Sequence, residues 1–216
     1  MMKRIIFIFT LLFTICGSSV YAQRIRVACV GNSITYGCGI SDREHKCYPV
    51  DLGNLLGSGY EVENFGNSGT TLLMKGDSPY MKQQTFKDVL DFNPDIVVIK
   101  LGTNDTKPQN WIYKEYFEKD MITLIDKFKS LQAKPRIILC TPIAVYKSLS
   151  GINDSIVHYG VMPYVKAVSK KEKVEYLNLY PLLKGKKADY VDGVHPNAAG
   201  ALLIAERVYR KIKYRK

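Results

Sequence analysis

Short runs of apolar, often β-branched residues alternate along the chain with segments whose apolar residues recur at helical spacing. This alternation limits the possible folds more than any other feature. The runs typical of strands cover residues 24–30, 60–65, 96–101, 136–140 and 174–179. The segments with helical period cover residues 50–56, 85–91, 113–131, 156–169 and 197–214. Strands that alternate with helices predict a parallel sheet covered by helices on both faces, an α/β fold in one domain.

The amino-terminal segment has the composition of a signal peptide. A basic start is followed by a nearly unbroken apolar stretch over residues 5–15, and small residues then precede Ala22. The apolar stretch is too short to span a bilayer comfortably, and the small residues suit signal peptidase. We therefore predict a signal peptide over residues 1–22 and an exported domain over residues 23–216. The mature protein is expected in the periplasm or outside the cell, with no stable membrane insertion.

The charge distribution argues against a nucleic-acid partner, and the spacing of the cysteines and histidines argues against a zinc site. Lys and Arg number 31 against 20 Asp and Glu, but the basic residues are scattered and no nucleic-acid motif is present, so we expect no nucleic-acid partner. No zinc-like Cys/His spacing occurs. Cys29 and Cys140 lie in apolar runs and are expected to be buried and inert. Cys38 and Cys47 bracket a polar loop, and the sequence leaves open whether they form a disulfide.

Two of the predicted strands end in the same tripeptide, Gly-Asn-Ser, at the sheet edge where ligands bind in folds of this kind. In the first copy Ser33 is either a nucleophile or the cap of a helical turn. In the second copy Ser68 does not match a G-x-S-x-G elbow, because position 70 is Thr. Gly69 would allow the backbone to approach a ligand closely. The residues alone only weakly favour Ser33 over Ser68.

Two further loops supply the other groups that acyl transfer needs. Asn104 follows a buried strand and its amide suits an oxyanion, although an Asx turn is the alternative, and Asp105 is expected to cap the next segment. Asp192 and His195 lie three residues apart, so the carboxylate can orient the imidazole as a base. His45 and His158 have no such neighbour in the sequence, and we interpret them as structural. A serine, a base, its orienting acid and an oxyanion donor together predict acyl transfer.

These four loops, in this order, resemble the motif blocks of the SGNH (GDSL-type) esterases and acylhydrolases. The family's Gly-Asp-Ser, Asn-x-Gly-x-Ser-Gly, Gly-x-Asn-Asp and Asp-x-x-His-Pro blocks correspond to residues 31–33, 64–69, 102–105 and 192–196. The departure is Asn32 in place of the usual Asp. We expect the amide to keep the shape of the loop while removing one negative charge.

The resemblance implies a three-layer α/β/α, flavodoxin-like sandwich with a five-stranded parallel sheet. It also implies that Ser33 is the nucleophile and first oxyanion N–H donor, with Gly69 and Asn104 as the second and third donors. His195 would be the base, oriented by Asp192. The resemblance implies no metal and no cofactor.

Among family members the chain looks most like secreted bacterial carbohydrate esterases, the sialate and xylan O-acetylesterases. The resemblance therefore implies a serine esterase that removes short acyl groups, above all acetyl, from a small-molecule or glycan ester. One alternative is a lipase or lysophospholipase, which would need an apolar groove from loops such as 72–74 and 111–113. The other is a non-catalytic, secreted carbohydrate-binding protein. The sequence leaves the sugar, the acyl position and the oligomeric state open.

Overall fold

A five-stranded parallel sheet organises the computed structural model, which describes residues 23–214. The predicted signal peptide lies outside the described residues. The strands pair in the order β2-β1-β3-β4-β5, with every pair parallel. All five predicted strands are present, and the predicted fold class is confirmed. The strands are β1 (Ile25–Gly31), β2 (Tyr60–Gly66), β3 (Ile96–Lys100), β4 (Arg136–Cys140) and β5 (Glu175–Leu177).

Helices cover both faces of the sheet and complete the three layers. The helices α3 and α9 pack against one face, while α4, α6 and α8 cover the other. Successive residues of a strand point to opposite faces, which is why the central strands are apolar throughout. The α-helices within residues 23–214 are α1 (Ser33–Tyr36), α2 (Arg43–Lys46), α3 (Tyr48–Leu56), α4 (Gln84–Phe92), α5 (Pro108–Trp111), α6 (Phe117–Lys129), α7 (Asp154–Ile156), α8 (Met162–Lys171) and α9 (Ala198–Lys213).

The strand order reverses at the carboxyl end of β1. From β1 the chain passes to β2 on one side and then to β3 on the other, so the strand order reverses at β1. In open sheets of this kind ligands bind where the order reverses. The turn α1 packs directly on the strand ends there. A Cβ atom at Gly31 would lie 2.1 Å from Thr35 Oγ1, and one at Gly66 would lie 2.2 Å from the Tyr36 nitrogen.

Two predicted helices have irregular parts. The predicted helix 113–131 begins as a 3₁₀ turn over Lys114–Tyr116 and becomes α-helical only in α6. The predicted helix 156–169 contains a π-helical turn over Val157–Val161. Pro163 has no N–H group to donate to the preceding turn, and the backbone widens just before it.

The cysteines Cys29 and Cys140 are buried, as predicted. Burial raises the pKa of the Cys140 thiol to about 12, and the Cys29 pKa is raised further. Cys38 and Cys47 are both free thiols in the structure. Within residues 23–214 no helix has both the length and the apolar character required to cross a membrane.

Candidate active site

The short helix α1 holds Ser33 at the carboxyl end of β1. Asn32 is its N-cap residue, and Asn32 Oδ1 accepts a hydrogen bond from the Ile34 N–H at 3.1 Å. Gly37 ends the turn with a φ of +93°, a conformation that glycine adopts without steric cost. Ile34 and Thr35 are buried beneath the turn. Capping and burial therefore fix the backbone that carries the Ser33 hydroxyl.

Three of the predicted site residues form a continuous hydrogen-bonded chain. Ser33 Oγ lies 2.9 Å from His195 Nε2, and His195 Nδ1 lies 2.7 Å from Asp192 Oδ2. The other carboxylate oxygen, Asp192 Oδ1, accepts from the backbone N–H groups of Val194 and His195 at 2.9 and 2.8 Å. The structure thus brings Ser33 to His195, although 162 positions separate them in the sequence.

The environment of Asp192 favours its ionised form. Burial raises the pKa of the carboxyl, but hydrogen bonds from the His195 ring and from two backbone N–H groups outweigh that effect and lower the pKa below its usual value. With Asp192 ionised, the His195 proton lies on Nδ1 and donates to the carboxylate. The Nε2 atom is then the acceptor for the Ser33 hydroxyl.

The loop that carries Asp192 and His195 is held at both ends. The Val191 N–H donates to the His195 carbonyl at 2.8 Å, and the Tyr146 N–H donates to the Gly193 carbonyl at 2.7 Å. Asn197 then caps α9, since its side-chain oxygen accepts from the Gly200 N–H at 3.1 Å. The predicted helix start directly after Pro196 is confirmed.

The remaining predicted residues, Gly69 and Asn104, belong to two loops that contact each other. Gly69 has a φ of +83°, and open space surrounds the position of its missing Cβ atom. The Asn104 side chain is buried, and Asn104 Nδ2 donates to the Thr70 carbonyl at 3.0 Å. One amide hydrogen of Asn104 is thereby engaged, and the second is left for another acceptor.

Asp105 does not cap the next segment as predicted. Its buried carboxylate accepts from the backbone N–H groups of Leu72 and Leu73, at 3.1 and 2.8 Å. Burial raises the Asp105 pKa to about 6, although these backbone hydrogen bonds oppose the shift. Asp105 lies in the loop after β3 and stabilises the loop after β2 through these two hydrogen bonds.

Sequence reasoning missed Asn110, which is completely buried beside these loops. Asn110 Nδ2 donates to the Asn104 carbonyl at 2.9 Å and to Asp77 Oδ1 at 3.0 Å. Its Oδ1 atom accepts from the Asp77 N–H at 2.9 Å. Asn110 therefore joins the Asn104 turn to the segment that follows Gly69. The local sequence gives no signal for this role of Asn110, because Asp77 lies 33 positions away and the other partner is a backbone carbonyl.

The model of the GDSL-like lipase/acylhydrolase family matches residues 29–203, a span that includes every predicted site residue. The chain belongs to this family. It is 42% identical over 207 residues to an acetylxylan esterase from Xylanibacter ruminicola, an alignment that covers 88% of this chain and 43% of that protein. The chain thus spans less than half the length of this relative. Membership of the family confirms the predicted resemblance to the GDSL-type esterases and acylhydrolases.

Solved structures share the fold of this GDSL-like hydrolase. One is a catalytic mutant of an acetylxylan esterase from Geobacillus stearothermophilus, with 22% identity, a TM-score of 0.69, and coverage of 89% of this chain and 96% of that one. Another is a carbohydrate acetylesterase from Sinorhizobium meliloti, with 18% identity, a TM-score of 0.70, and coverage of 89% and 100%. At these identities the likeness is one of fold.

Among the described residues, Ser68, His45 and His158 take no part in the hydrogen bonds that join Ser33, His195 and Asp192. Ser68 is exposed and, among the described residues, His195 contacts Ser33 instead. The prediction that His45 lacks an acidic partner is wrong, since its Nδ1 atom lies 2.7 Å from Asp42 in an exposed loop. His158 stacks on the Tyr180 ring at a centroid distance of 4.7 Å. The stacking supports the interpretation of His158 as structural.

Proposed function

We propose that this hydrolase is a serine esterase that removes short acyl groups, above all acetyl, from carbohydrates. The observation that carries the proposal is the hydrogen-bonded chain from Ser33 through His195 to Asp192. The 42% identical relative is named an acetylxylan esterase, which supports an acetylated glycan as the substrate.

In the proposed reaction Ser33 Oγ attacks the ester carbonyl while His195 Nε2 removes its proton. Asp192 stabilises the imidazolium that forms and keeps the ring oriented. The imidazolium then protonates the departing sugar oxygen, and the acyl group remains on Ser33. Water enters, gives a proton to His195 and attacks the acyl-enzyme, which releases the carboxylic acid and restores Ser33.

Three donors would stabilise the negative oxygen of the tetrahedral intermediate: the Ser33 N–H, the Gly69 N–H and the free Asn104 amide hydrogen. The first N–H groups of a helix have no partner within it, so the start of α1 offers a donor beside the nucleophile. Preorganised donors of this kind commonly contribute a large share of the rate acceleration. The open space at Gly69 is consistent with a substrate oxygen approaching the backbone there.

The burial of the loop residues favours a short acyl group over a fatty acyl chain. Leu72 and Leu73, which a lipase groove would need at the surface, are buried in the core at 2% and 0% exposure. Ile112 is exposed, but Trp111 beside it is partly packed against Phe117. The complete Ser33–His195–Asp192 contact argues against a purely carbohydrate-binding role.

The direct test compares Ser33→Ala with the matched control Ser68→Ala on p-nitrophenyl acetate. We expect Ser33→Ala to lose at least about 10³-fold in kcat, whereas Ser68→Ala keeps most of the activity. A fluorophosphonate probe should label Ser33. Equal losses in both variants, or labelling elsewhere, would refute the assignment.

The substrate is tested separately. A series of nitrophenyl esters from acetate to octanoate should show the highest kcat/KM for acetate. Acetate release from acetylated xylan fragments and acetylated sialic acids would then identify the sugar. A preference for the long acyl chains would favour the lipase alternative.

We also propose that residues 1–22 direct export and are removed, which leaves a domain over residues 23–216. The mass of the protein recovered from the periplasm or the medium of an expressing bacterium tests this directly. A protein that still carries residues 1–22, or that stays in the cytoplasm, would contradict the proposal.

A further inference from the structure

Asp154, the first residue of α7, binds two groups outside its own helix. Its Oδ1 atom accepts from the Val145 N–H at 2.8 Å, and its Oδ2 atom accepts from the Tyr180 hydroxyl at 2.7 Å. The helix does not use this carboxylate as its cap, because the Asn153 side chain already accepts from the Ile156 N–H at 3.2 Å. The two hydrogen bonds of Asp154 therefore have a role outside α7.

The Tyr180 end of this link is held at the carboxyl ends of the strands. Tyr180 lies just beyond β5, and its N–H donates at 3.1 Å to Thr141 Oγ1, just beyond β4. The Tyr180 ring also stacks on His158. Burial, and after it the hydrogen bond with Asp154, raises the pKa of the Tyr180 hydroxyl, so the group stays protonated and donates. Asp154 thus has one partner that the sheet itself places.

The Val145 end of the link lies against the loop of residues 191–196, which we call the histidine loop. Val145 and Val194 of the histidine loop belong to one buried apolar cluster. The next residue, Tyr146, donates its N–H to the Gly193 carbonyl at 2.7 Å. The segment that Asp154 holds is therefore in direct contact with the histidine loop, through both apolar packing and a hydrogen bond.

The two segments approach each other so closely that a side chain at position 193 would not fit. A Cβ atom at Gly193 would lie 2.8 Å from Lys147 Cβ, and Gly193 has a φ of +89°. Gly193 and Val194 are the residues that join Asp192 to His195 in the chain. A displacement of Lys147 and its neighbours therefore moves the residues between the acid and the base.

The segment needs an anchor because it belongs to a long loop. Residues 141–153 connect β4 to α7, and loops of about this length in compact domains are usually functional. Ordering such a loop costs conformational entropy, which its contacts must offset. A hydrogen bond to a carboxylate is about twice as strong as one between neutral groups. The bond from Val145 to Asp154 is of this stronger kind, and it fastens the start of the loop to the helix that follows it.

We propose that Asp154 is a positioning residue of the esterase reaction, which fixes Val145 and Tyr146 and through them the histidine loop. The inference rests on the proposed function of Ser33 and His195. Asp154 acts on the orientation of the imidazole and not on the substrate. Its loss should therefore lower kcat more than it changes KM.

The first test measures kcat and KM for p-nitrophenyl acetate in the full chain with Asp154→Ala and with Asp154→Asn. We expect Asp154→Ala to lose at least about tenfold in kcat with KM within about threefold of wild type, because small displacements of catalytic groups are costly. Asp154→Asn keeps an oxygen for the Val145 N–H, and its NH₂ group can donate to the Tyr180 oxygen. This conservative variant should therefore restore most of kcat.

Asp95→Ala is the matched control. Asp95 also accepts a backbone N–H, that of Arg26 at 2.8 Å, but it precedes β3 and so lies at the amino ends of the strands, opposite Ser33. Both alanine variants should lower the melting temperature, because each takes a charged acceptor from a backbone donor. At a temperature where both proteins are folded, only Asp154→Ala should lower kcat.

A second experiment separates positioning of the base from a general loss of folded enzyme. In an Asp192→Asn background the base is already impaired, so adding Asp154→Ala should lower kcat by less than about twofold more. In an Asn104→Ala background the base is intact, so Asp154→Ala should keep its full effect of about tenfold. A purely structural role would lower kcat by the same factor in both backgrounds.

Three results would overturn the inference. One is a folded Asp154→Ala variant with the kcat of wild type. The second is a loss in Asp154→Asn or in Asp95→Ala as large as that in Asp154→Ala. The third is an equal effect of Asp154→Ala in the two backgrounds. Activity that survives Ser33→Ala would instead refute the proposed function, so the two failures are distinguishable.

Discussion

The side-chain amide of Asn104 donates a hydrogen bond to the backbone carbonyl of Thr70, at 3.0 Å and across 34 residues of sequence. Thr70 directly follows Gly69, so this one contact sets the separation between two of the proposed oxyanion donors. The loop after β2 and the loop after β3 therefore act as one unit. Residues that hold this unit together should affect the rate of reaction more than the binding of substrate.

Asn110 provides the first test of that idea. Asn110→Ala removes the hydrogen bonds to the Asn104 carbonyl and to Asp77. We expect kcat on p-nitrophenyl acetate to fall by roughly tenfold or more with KM changed less than about threefold, since small displacements of catalytic groups are costly. The free energy of unfolding should fall by about 1–3 kcal/mol.

The control for Asn110 is Gln109→Ala. Gln109 donates to the same Asp77 carboxylate at 3.2 Å, but the contact is exposed and does not reach Asn104. It should leave both kcat and stability near wild type. An Asn110→Ala variant that retains full kcat would show that the loops keep their relative position without it.

Asp192→Asn should disable the base while preserving the fold. The amide cannot serve as the ionised acceptor for His195 Nδ1–H, so the imidazole loses its orientation and tautomer. We expect kcat to fall by about 10³- to 10⁴-fold with a smaller change in KM. Asp189→Asn, in the same loop region, is the control. A loss of less than tenfold would argue that Asp192 does not orient the base.

Asn32→Ala should move the nucleophile by removing the cap of α1. The lost hydrogen bond to the Ile34 N–H costs about 0.5–2 kcal/mol of stability. Asn153→Ala is a matched control, because Asn153 caps α7 through the Ile156 N–H at 3.2 Å, outside the Ser33 turn. Both variants should be destabilised, and only Asn32→Ala should lose kcat. Equal activities would mean that the cap does not position Ser33.

Asp105 should make stability depend on pH in the mildly acidic range. Its pKa is raised by burial from 3.8 to about 6, so between these values the native state binds more protons there than the unfolded state. The contribution of Asp105 to stability is therefore fully present below about pH 4 and decreases as the pH rises to about 6. Denaturant unfolding of wild type and Asp105→Asn from pH 4 to pH 7 measures this. The stability of wild type relative to the variant should decline across the window and then level off; a constant difference would contradict it.

The sequence by itself determined the elements of the sheet and the order of the motif loops. Apolar period and β-branched composition are local properties, so all five strands and the helices α3, α4 and α9 could be predicted close to their observed bounds. The glycines at the carboxyl ends of β1 and β2 can also be identified from the sequence. Gly31 and Gly66 are the last residues of β1 and β2, and α1 packs so closely on them that a Cβ atom at either position would clash. The motif resemblance then named Ser33 over Ser68, a choice that local residue types could not make.

Only the tertiary structure decided which distant groups meet. Strand order and register bring Ser33 within 2.9 Å of His195, Asp105 onto the backbone of Leu72 and Leu73, and Asn110 between two loops. Lys100, the last residue of β3, is the sharpest case, since it is buried at 1% exposure. In the sequence it is one polar residue at the end of an apolar run, and no periodicity shows whether such a residue reaches solvent. Its burial depends on what β1, β4 and α3 place around it, and these contacts arise only when the sheet is assembled.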